Sequence, residues 1–183
     1  TAYGGDTVVT LFWQKPAQAF VKGYVIYREI AGQGFVAIDT VSNTLFSSYS
    51  DSTANPTQQS ERYKITTLDS CGSSSDISLS TVHQTILLQG SIDVTGSTVN
   101  LDWDAYLGIT DPTRFYRIMR DNLGNGVWDS IGATPWSISA VNSGFANLYP
   151  NANYAVDLVW QGTCTASQRV MAGYSSSRSN IKN

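Results

Sequence analysis

The side chains of this chain that could do chemistry are one histidine, two cysteines and fourteen carboxylates, and their spacing argues against most reactions. A Ser-His-Asp relay needs its histidine in a cleft beside a nucleophile. The only histidine is His83, and no Gly-x-Ser-x-Gly turn occurs anywhere. Two carboxylates facing a glycosidic bond could hydrolyse it, but nothing singles out a pair. No catalytic residue is assigned, and the chain is read as a non-enzyme. Asp121-Asn122-Leu123-Gly124-Asn125-Gly126 has the outline of a calcium loop. Leu123 stands where a ligand is needed, however, and the twelfth position is Gly132 rather than a bidentate acid. The stretch is read as a hairpin turn. Asp102 and Asp104 flank Trp103 and share one strand face, a solvated edge rather than a cation site. Cys71, Cys164 and His83 are too scattered for zinc. No metal and no cofactor is expected.

Aromatic rings give the better binding hint. Beyond Trp103, the second half carries Trp128, Trp136 and Trp160, whereas the first half has Trp13 alone. Trp128 aligns with Phe35 and reads as core. Trp136 lies early in one expected strand, and Trp160 falls where another runs into its loop. Solvent-facing rings at Trp136 and Trp160 could stack on sugars, but packing at the edge of the core is the favoured reading of both.

These residues must be positioned by elements that occur twice. Val8-Val9-Thr10-Leu11-Phe12-Trp13 returns as Thr98-Val99-Asn100-Leu101-Asp102-Trp103, a step of 90 residues. Gly23-Tyr24-Val25-Ile26-Tyr27-Arg28-Glu29 is echoed by Phe115-Tyr116-Arg117-Ile118-Met119-Arg120-Asp121. Tyr63-Lys64-Ile65 answers Tyr154-Ala155-Val156, with a cysteine after each tyrosine. Ordered matches at one period mean two copies of one unit.

The first unit, residues 1–83, is expected to form strands at Thr7–Trp13, Val21–Ile30, Phe35–Val41, Leu45–Tyr49, Arg62–Leu68 and Ile77–Val82. Its copy of an opening strand is expected to be mostly missing, because Trp13 follows Thr1 so closely. The second unit, residues 84–183, is expected at Ile86–Val94, Thr98–Trp103, Phe115–Asp121, Val127–Ile131, Trp136–Val141, Tyr154–Trp160 and Val170–Ser175. Asn125-Gly126 signals a type I′ hairpin turn, which needs φ > 0 at both positions. No stretch keeps a helical period. Short strands at even spacing read as two all-β sandwiches. His83 to Gln89 joins the units without a Pro- or Gly-rich linker, which restricts the angle between them.

Composition narrows the partners. Charged residues make up 14% of the chain, well below the ~25% usual for soluble proteins. Ser, Thr, Asn and Gln carry the surface instead, which suits an extracellular location. Residues 1–83 hold 5 basic and 7 acidic side chains and residues 84–183 hold 6 and 7. With no basic stripe, nucleic acid is a poor partner. No apolar run approaches the ~20 residues that cross a bilayer as a helix, so no membrane insertion is expected. Cys71 and Cys164 hold matching places in units stacked end to end, too far apart for a disulfide. Two free thiols are expected.

The core tryptophans (Trp13, Trp103), the Tyr-x-Ile strands (Tyr24-Val25-Ile26; Tyr116-Arg117-Ile118) and the later tyrosines (Tyr63, Tyr154) resemble the fibronectin type III domain in tandem. The resemblance implies that Tyr63 and Tyr154 form tyrosine corners, each hydroxyl bonded back to the backbone. Asp69-Ser70-Cys71-Gly72-Ser73-Ser74-Ser75, His83-Gln84-Thr85-Ile86-Leu87, Leu101-Asp102-Trp103-Asp104-Ala105-Tyr106-Leu107-Gly108 and the closing Ser175-Ser176-Ser177-Arg178-Ser179-Asn180 are similar to domain pairs of large secreted Bacteroidetes surface proteins. Those pairs are of the gliding-motility adhesin, type IX secretion type, and stand before a C-terminal sorting domain. The resemblance implies a spacer and interaction module at the cell surface. Its implied partners are neighbouring domains of a longer chain and a surface polysaccharide or another surface protein. A carbohydrate-binding pair attached to a glycan-degrading enzyme is the alternative. Asp6-Thr7-Val8, Asp39-Thr40-Val41, Asp51-Ser52-Thr53 and Asp129-Ser130-Ile131 resemble the O-glycosylation pattern of that phylum, which would modify Thr7, Thr40, Ser52 and Ser130.

Overall fold

The computed structural model describes residues 2–4, 7–17, 20–93, 95, 97–135, 137–143, 151–166 and 172–182. In the first half the strands are β1 (Ala2–Gly4), β2 (Val9–Phe12), β3 (Val21–Ile30), β4 (Gly34–Ser42), β5 (Ser48–Asp51), β6 (Arg62–Asp69) and β7 (His83–Gln84). In the second they are β8 (Leu88–Asp93), β9 (Thr98–Trp103), β10 (Phe115–Asp121), β11 (Asp129–Thr134), β12 (Ser139–Ser143), β13 (Asn153–Ala166) and β14 (Ala172–Arg178). No α-helix occurs among the described residues.

Alternation along the strands builds each core. Val9, Leu11 and Trp13 point inward from one sheet, and Tyr24, Ile26 and Tyr63 meet them from the other. Sheet β1-β2-β5 thus packs on sheet β4-β3-β6-β7. The second half repeats the plan, with β12-β9-β8 against β11-β10-β13-β14. There Val99, Leu101 and Trp103 meet Tyr116, Ile118, Tyr154, Val156 and Leu158. Each sandwich sets three strands against four, with every pairing antiparallel.

The repeat holds to the level of register. Arg28 lies opposite Tyr63 on β3 and β6, as Arg120 lies opposite Tyr154 on β10 and β13. Trp13 packs on Tyr24 with ring centroids 5.3 Å apart, and Trp103 on Tyr116 at 5.6 Å. Both are within the range of favourable tilted aromatic pairs. The three residues of β1 pair with β2 and supply the first unit's opening strand.

Four expectations are corrected. Ile77–Val82 is not a strand: Asp76 accepts from Ser78 N–H at 2.8 Å and caps a 3₁₀ turn over Ile77–Leu79. Beyond it Ser80 bridges β6 through its side chain, accepting from Ile65 N–H and donating to Ile65 C=O at 3.2 and 2.8 Å. The backbone rejoins the ladder only at β7. Asn125-Gly126 is not a type I′ turn, since Gly124 and Gly126 have positive φ but Asn125 does not. Instead the Asp121 carboxylate gathers the N–H groups of Leu123, Asn125 and Gly126 at 3.2, 3.1 and 2.7 Å. Trp128 is not core; it is half-buried on the outer sheet face with the Arg178 guanidinium 5.0 Å above its ring. Phe35 sits likewise under Lys64 at 5.1 Å. Finally, the Tyr63 hydroxyl donates to Asp51 Oδ2 at 3.0 Å, a side chain rather than the backbone.

Candidate functional site

Of the two candidate sugar-stacking rings, only Trp160 lies among the described residues, and it does not face solvent. Trp160 is 8% exposed and belongs to the second core. It continues the inward series Tyr154, Val156, Leu158, and β13 runs on six residues past it to Ala166, so the ring never reaches a strand–loop break. Trp136 lies outside the described residues. Thr7, Thr40, Ser52 and Ser130 are all exposed. Asp51, which precedes Ser52, is 1% exposed. It is committed to Arg28 at 2.7 Å, to the Tyr63 hydroxyl and to Thr53. Burial would raise its pKa, but the bonds from Thr53 and Tyr63 and the Arg28 charge outweigh burial and hold it below the usual carboxylate value. Tyr63 is pushed far above an ordinary phenol by burial and by that carboxylate.

The acidic candidates separate in the same way. Asp102 and Asp104 are exposed. Burial acts against the charge of Asp121, but the N–H groups of Gly126, Asn125 and Leu123 prevail and its pKa is lowered. Both of its oxygens are engaged by N–H groups of its own loop. No cluster of three or more His, Cys, Asp or Glu that could hold a metal occurs among the described residues.

What the fold does bring together is the junction. His83 Nδ1 lies 3.0 Å from the Tyr106 hydroxyl, and the rings meet edge to face at 6.0 Å. Gln84 N–H donates to Leu107 C=O at 3.4 Å, and its side-chain amide donates to Ala105 C=O at 3.2 Å. Gly108 makes this approach possible. It has φ +97°, and a Cβ there would sit 2.6 Å from His83 Nδ1 and 2.7 Å from Val82 C=O. Burial pushes the His83 imidazole down to about 4, so it is neutral at neutral pH.

A second contact forms farther along. β13 has 14 residues where β6 has 8, and its extension pairs with β14 through Cys164↔Tyr174 and Ala166↔Ala172. The resulting hairpin reaches back to the first sandwich, where the Cys164 thiol faces Phe12 C=O at 3.9 Å. Cys164 is partly buried and Cys71 exposed, and both are free. Between the two contacts lies a cleft of about 290 Å³ with Leu11, Phe12, Trp13, His83, Ile109 and Cys164 in its walls. It opens where the chain has left the β6 ladder at Ser80.

The strand order, the paired Trp–Tyr cores and the short junction define a class: tandem β-sandwiches of the fibronectin type III kind. No family model and no curated protein matches the sequence. Among solved structures it is similar to a two-domain fibronectin type III segment of chicken tenascin, at 14% identity and a TM-score of 0.34 over 96% of each chain. It is similar to the central fibronectin-III array of RIM-binding protein at 14% identity and a TM-score of 0.35, covering 92% of this chain but 56% of that one. The chicken interferon gamma receptor alpha chain matches at 11% identity and a TM-score of 0.35, over 97% of this chain and 94% of that one.

Proposed function

We propose that this chain is a non-enzymatic spacer and interaction module, two domains meeting near Thr85, from a secreted adhesin-like protein at the cell surface. Gln84 pairs within the first sandwich and Ile86 lies in the second core, which supports that boundary. The observation carrying the spacer reading is the double contact at the junction, His83 on Tyr106 and Cys164 on Phe12. A flexible tether would need neither. The low charge and the polar surface fit this setting, and the sequence resemblance supports reading it as part of a Bacteroidetes protein of the gliding-motility, type IX secretion type, before a sorting domain. Its partners are the neighbouring domains of that longer chain and a surface polysaccharide or surface protein. Thr7, Thr40 and Ser130 are the better glycan acceptors, because the aspartate before Ser52 is buried. Protein recovered from its host at the mass of the bare chain would remove the glycan assignment.

The glycan-binding alternative has lost Trp160 to the core. The spacer reading is tested by residual dipolar couplings of the intact pair. Couplings from both sandwiches are expected to fit one alignment tensor. Two independent tensors would mean beads on a string and end the reading.

A further inference from the structure

We propose that the open end of the first sandwich binds an alkylammonium group, the kind a lysine side chain carries. The site is a groove of about 370 Å³ between the β3–β4 turn and the start of β6, with Glu29, Ile30, Ala31, Gln59, Glu61 and Arg62 in its walls. The anchor is Glu61. It is 3% exposed, yet it belongs to none of the ion pairs among the described residues. Its Oε1 accepts from Asn55 N–H and from the Gln59 side-chain amide, both at 3.0 Å. Its backbone N–H and C=O both go to Thr85. Oε2 accepts from nothing among the described residues, and it is not one of their buried, unpartnered side-chain atoms. That oxygen therefore keeps an opening to solvent, at the groove wall. A buried charge without a counter-ion costs stability that an incoming cation would return.

The fold does not ask for this charge. Tyr63 matches Tyr154 in the repeat, so Glu61 corresponds to Ala152, which is buried in the second core. The two bonds on Oε1 hold the 55–59 turn, and a glutamine oxygen would accept both of them. The walls favour a cation: Glu29 and Glu61 stand against Arg62 alone. Arg62 is turned to Glu29 at 3.2 Å and to Gln84 Oε1 at 2.7 Å. Arg28, whose charge also reaches Glu61, is matched by Asp51 at 2.7 Å. No cluster of three or more His, Cys, Asp or Glu stands here among the described residues, so an organic cation suits the groove better than calcium with its 6–8 oxygens. An ammonium brings three N–H donors to the buried carboxylate, and Ile30 and Ala31 give its methylene stem an apolar wall.

The probe is n-butylammonium chloride, titrated into the intact chain at constant ionic strength. The reporters are the Asn55 backbone amide and the Gln59 side-chain amide in ¹⁵N-correlated spectra, since both donate to Glu61. Both are expected to shift saturably. Tetramethylammonium, a cation without N–H, should leave them in place. Glu61→Gln keeps the bonds on Oε1 and should stay folded while binding weakens about tenfold or more. Arg62→Gln removes the wall's cation and should tighten binding about twofold to fivefold. Tighter binding of the peptide acetyl-Gly-Lys-Gly-amide than of butylammonium would mark a protein lysine as the source, and weaker binding a free amine; either leaves the ammonium site standing. A protein source rests on the interaction-module reading, which the dipolar couplings of the intact pair test separately. The proposal is overturned by no saturable shift in the wild-type chain, or by an equal shift with tetramethylammonium. Undiminished binding in a folded Glu61→Gln chain, or binding that is no tighter in Arg62→Gln, overturns it as well.

Discussion

Replacing Gly108 by alanine separates the junction from the two cores. The residue sits at φ +97°, where an L side chain costs about 1–2 kcal/mol. The new methyl would lie 2.6 Å from His83 Nδ1 and 2.7 Å from the Val82 carbonyl oxygen. The second of these is backbone and cannot swing aside, so roughly 1–3 kcal/mol of overpacking is added. Against this stand the bonds the approach makes possible, His83 to Tyr106 and Gln84 to Leu107 and Ala105. At about 1 kcal/mol each they supply roughly 3 kcal/mol. Backbone strain and clash together come to about 2–5 kcal/mol, a range centred on the bonds lost; moving the 105–109 loop off His83 relieves them, so the junction opens while both sandwiches stay folded. Dipolar couplings should then require two alignment tensors instead of one, and X-ray scattering should show a broader distribution of lengths. Gly126→Ala is the control. It carries the same kind of backbone strain, at φ +85°, with nothing within 4 Å of the added carbon. It should lower the second sandwich's stability by about 1–2 kcal/mol and leave the inter-unit angle alone. If Gly108→Ala keeps one tensor and unshifted His83 and Tyr106 resonances, the steric argument is wrong.

Trp13→Ala and Trp103→Ala each empty the centre of one sandwich and should cost about 3–5 kcal/mol, seen in urea melts as loss of one transition while the other persists. Asp51→Asn removes the charge that Arg28 and the Tyr63 hydroxyl share. Because the folded pKa of Asp51 is depressed, its stabilisation is present above the ordinary aspartate value and is lost as pH falls through the folded one. Acid titration of Asp51→Asn should accordingly show a shallower acid limb than wild type.

Part of this was legible in the sequence because strand alternation is a local signal. Val21–Ile30, Thr98–Trp103 and Phe115–Asp121 keep apolar residues on one face, and their observed ends coincide with those expected. The misreadings come where a side chain replaces backbone. Ser80 takes over ladder bonds that a strand at Ile77–Val82 would have made, and Asp121 organises a loop whose Asn-Gly imitates a tight turn. Trp128 was misassigned to the core because matching to Phe35 does not say which sheet face a ring takes, whereas the core packing favoured for Trp160 is what the structure shows. Trp160 looked terminal because β13 was expected to stop there. The cleft was invisible, since residues 12 and 164 share no period. Two marks pointed towards it: His83 at the linker-free joint, and a glycine just after Tyr106-Leu107 where a close approach would need one.

His83 gives the junction a direction of response to pH. Its folded pKa, about 4, lies below the unfolded value of 6.5, because burial disfavours the imidazolium. The sign follows: the unfolded or opened chain binds the proton more readily, so the contact is at full strength above 6.5 and weakens as pH falls towards 4. At ~1.4 kcal/mol for each pH unit in that window, the ceiling is about 3 kcal/mol, similar to the junction's own polar bonds. No core is built on His83, so acid should open the angle between the sandwiches before it melts either one. Dipolar couplings recorded from pH 7 down to pH 4.5 should pass from one tensor to two, with both sets of core amides still dispersed. His83→Gln keeps a polar group facing Tyr106 but cannot charge in this range, and it should hold one tensor throughout. If the substituted chain opens at the same pH as wild type, the acid response belongs to carboxylates such as Asp51, and His83 is a spectator at the joint.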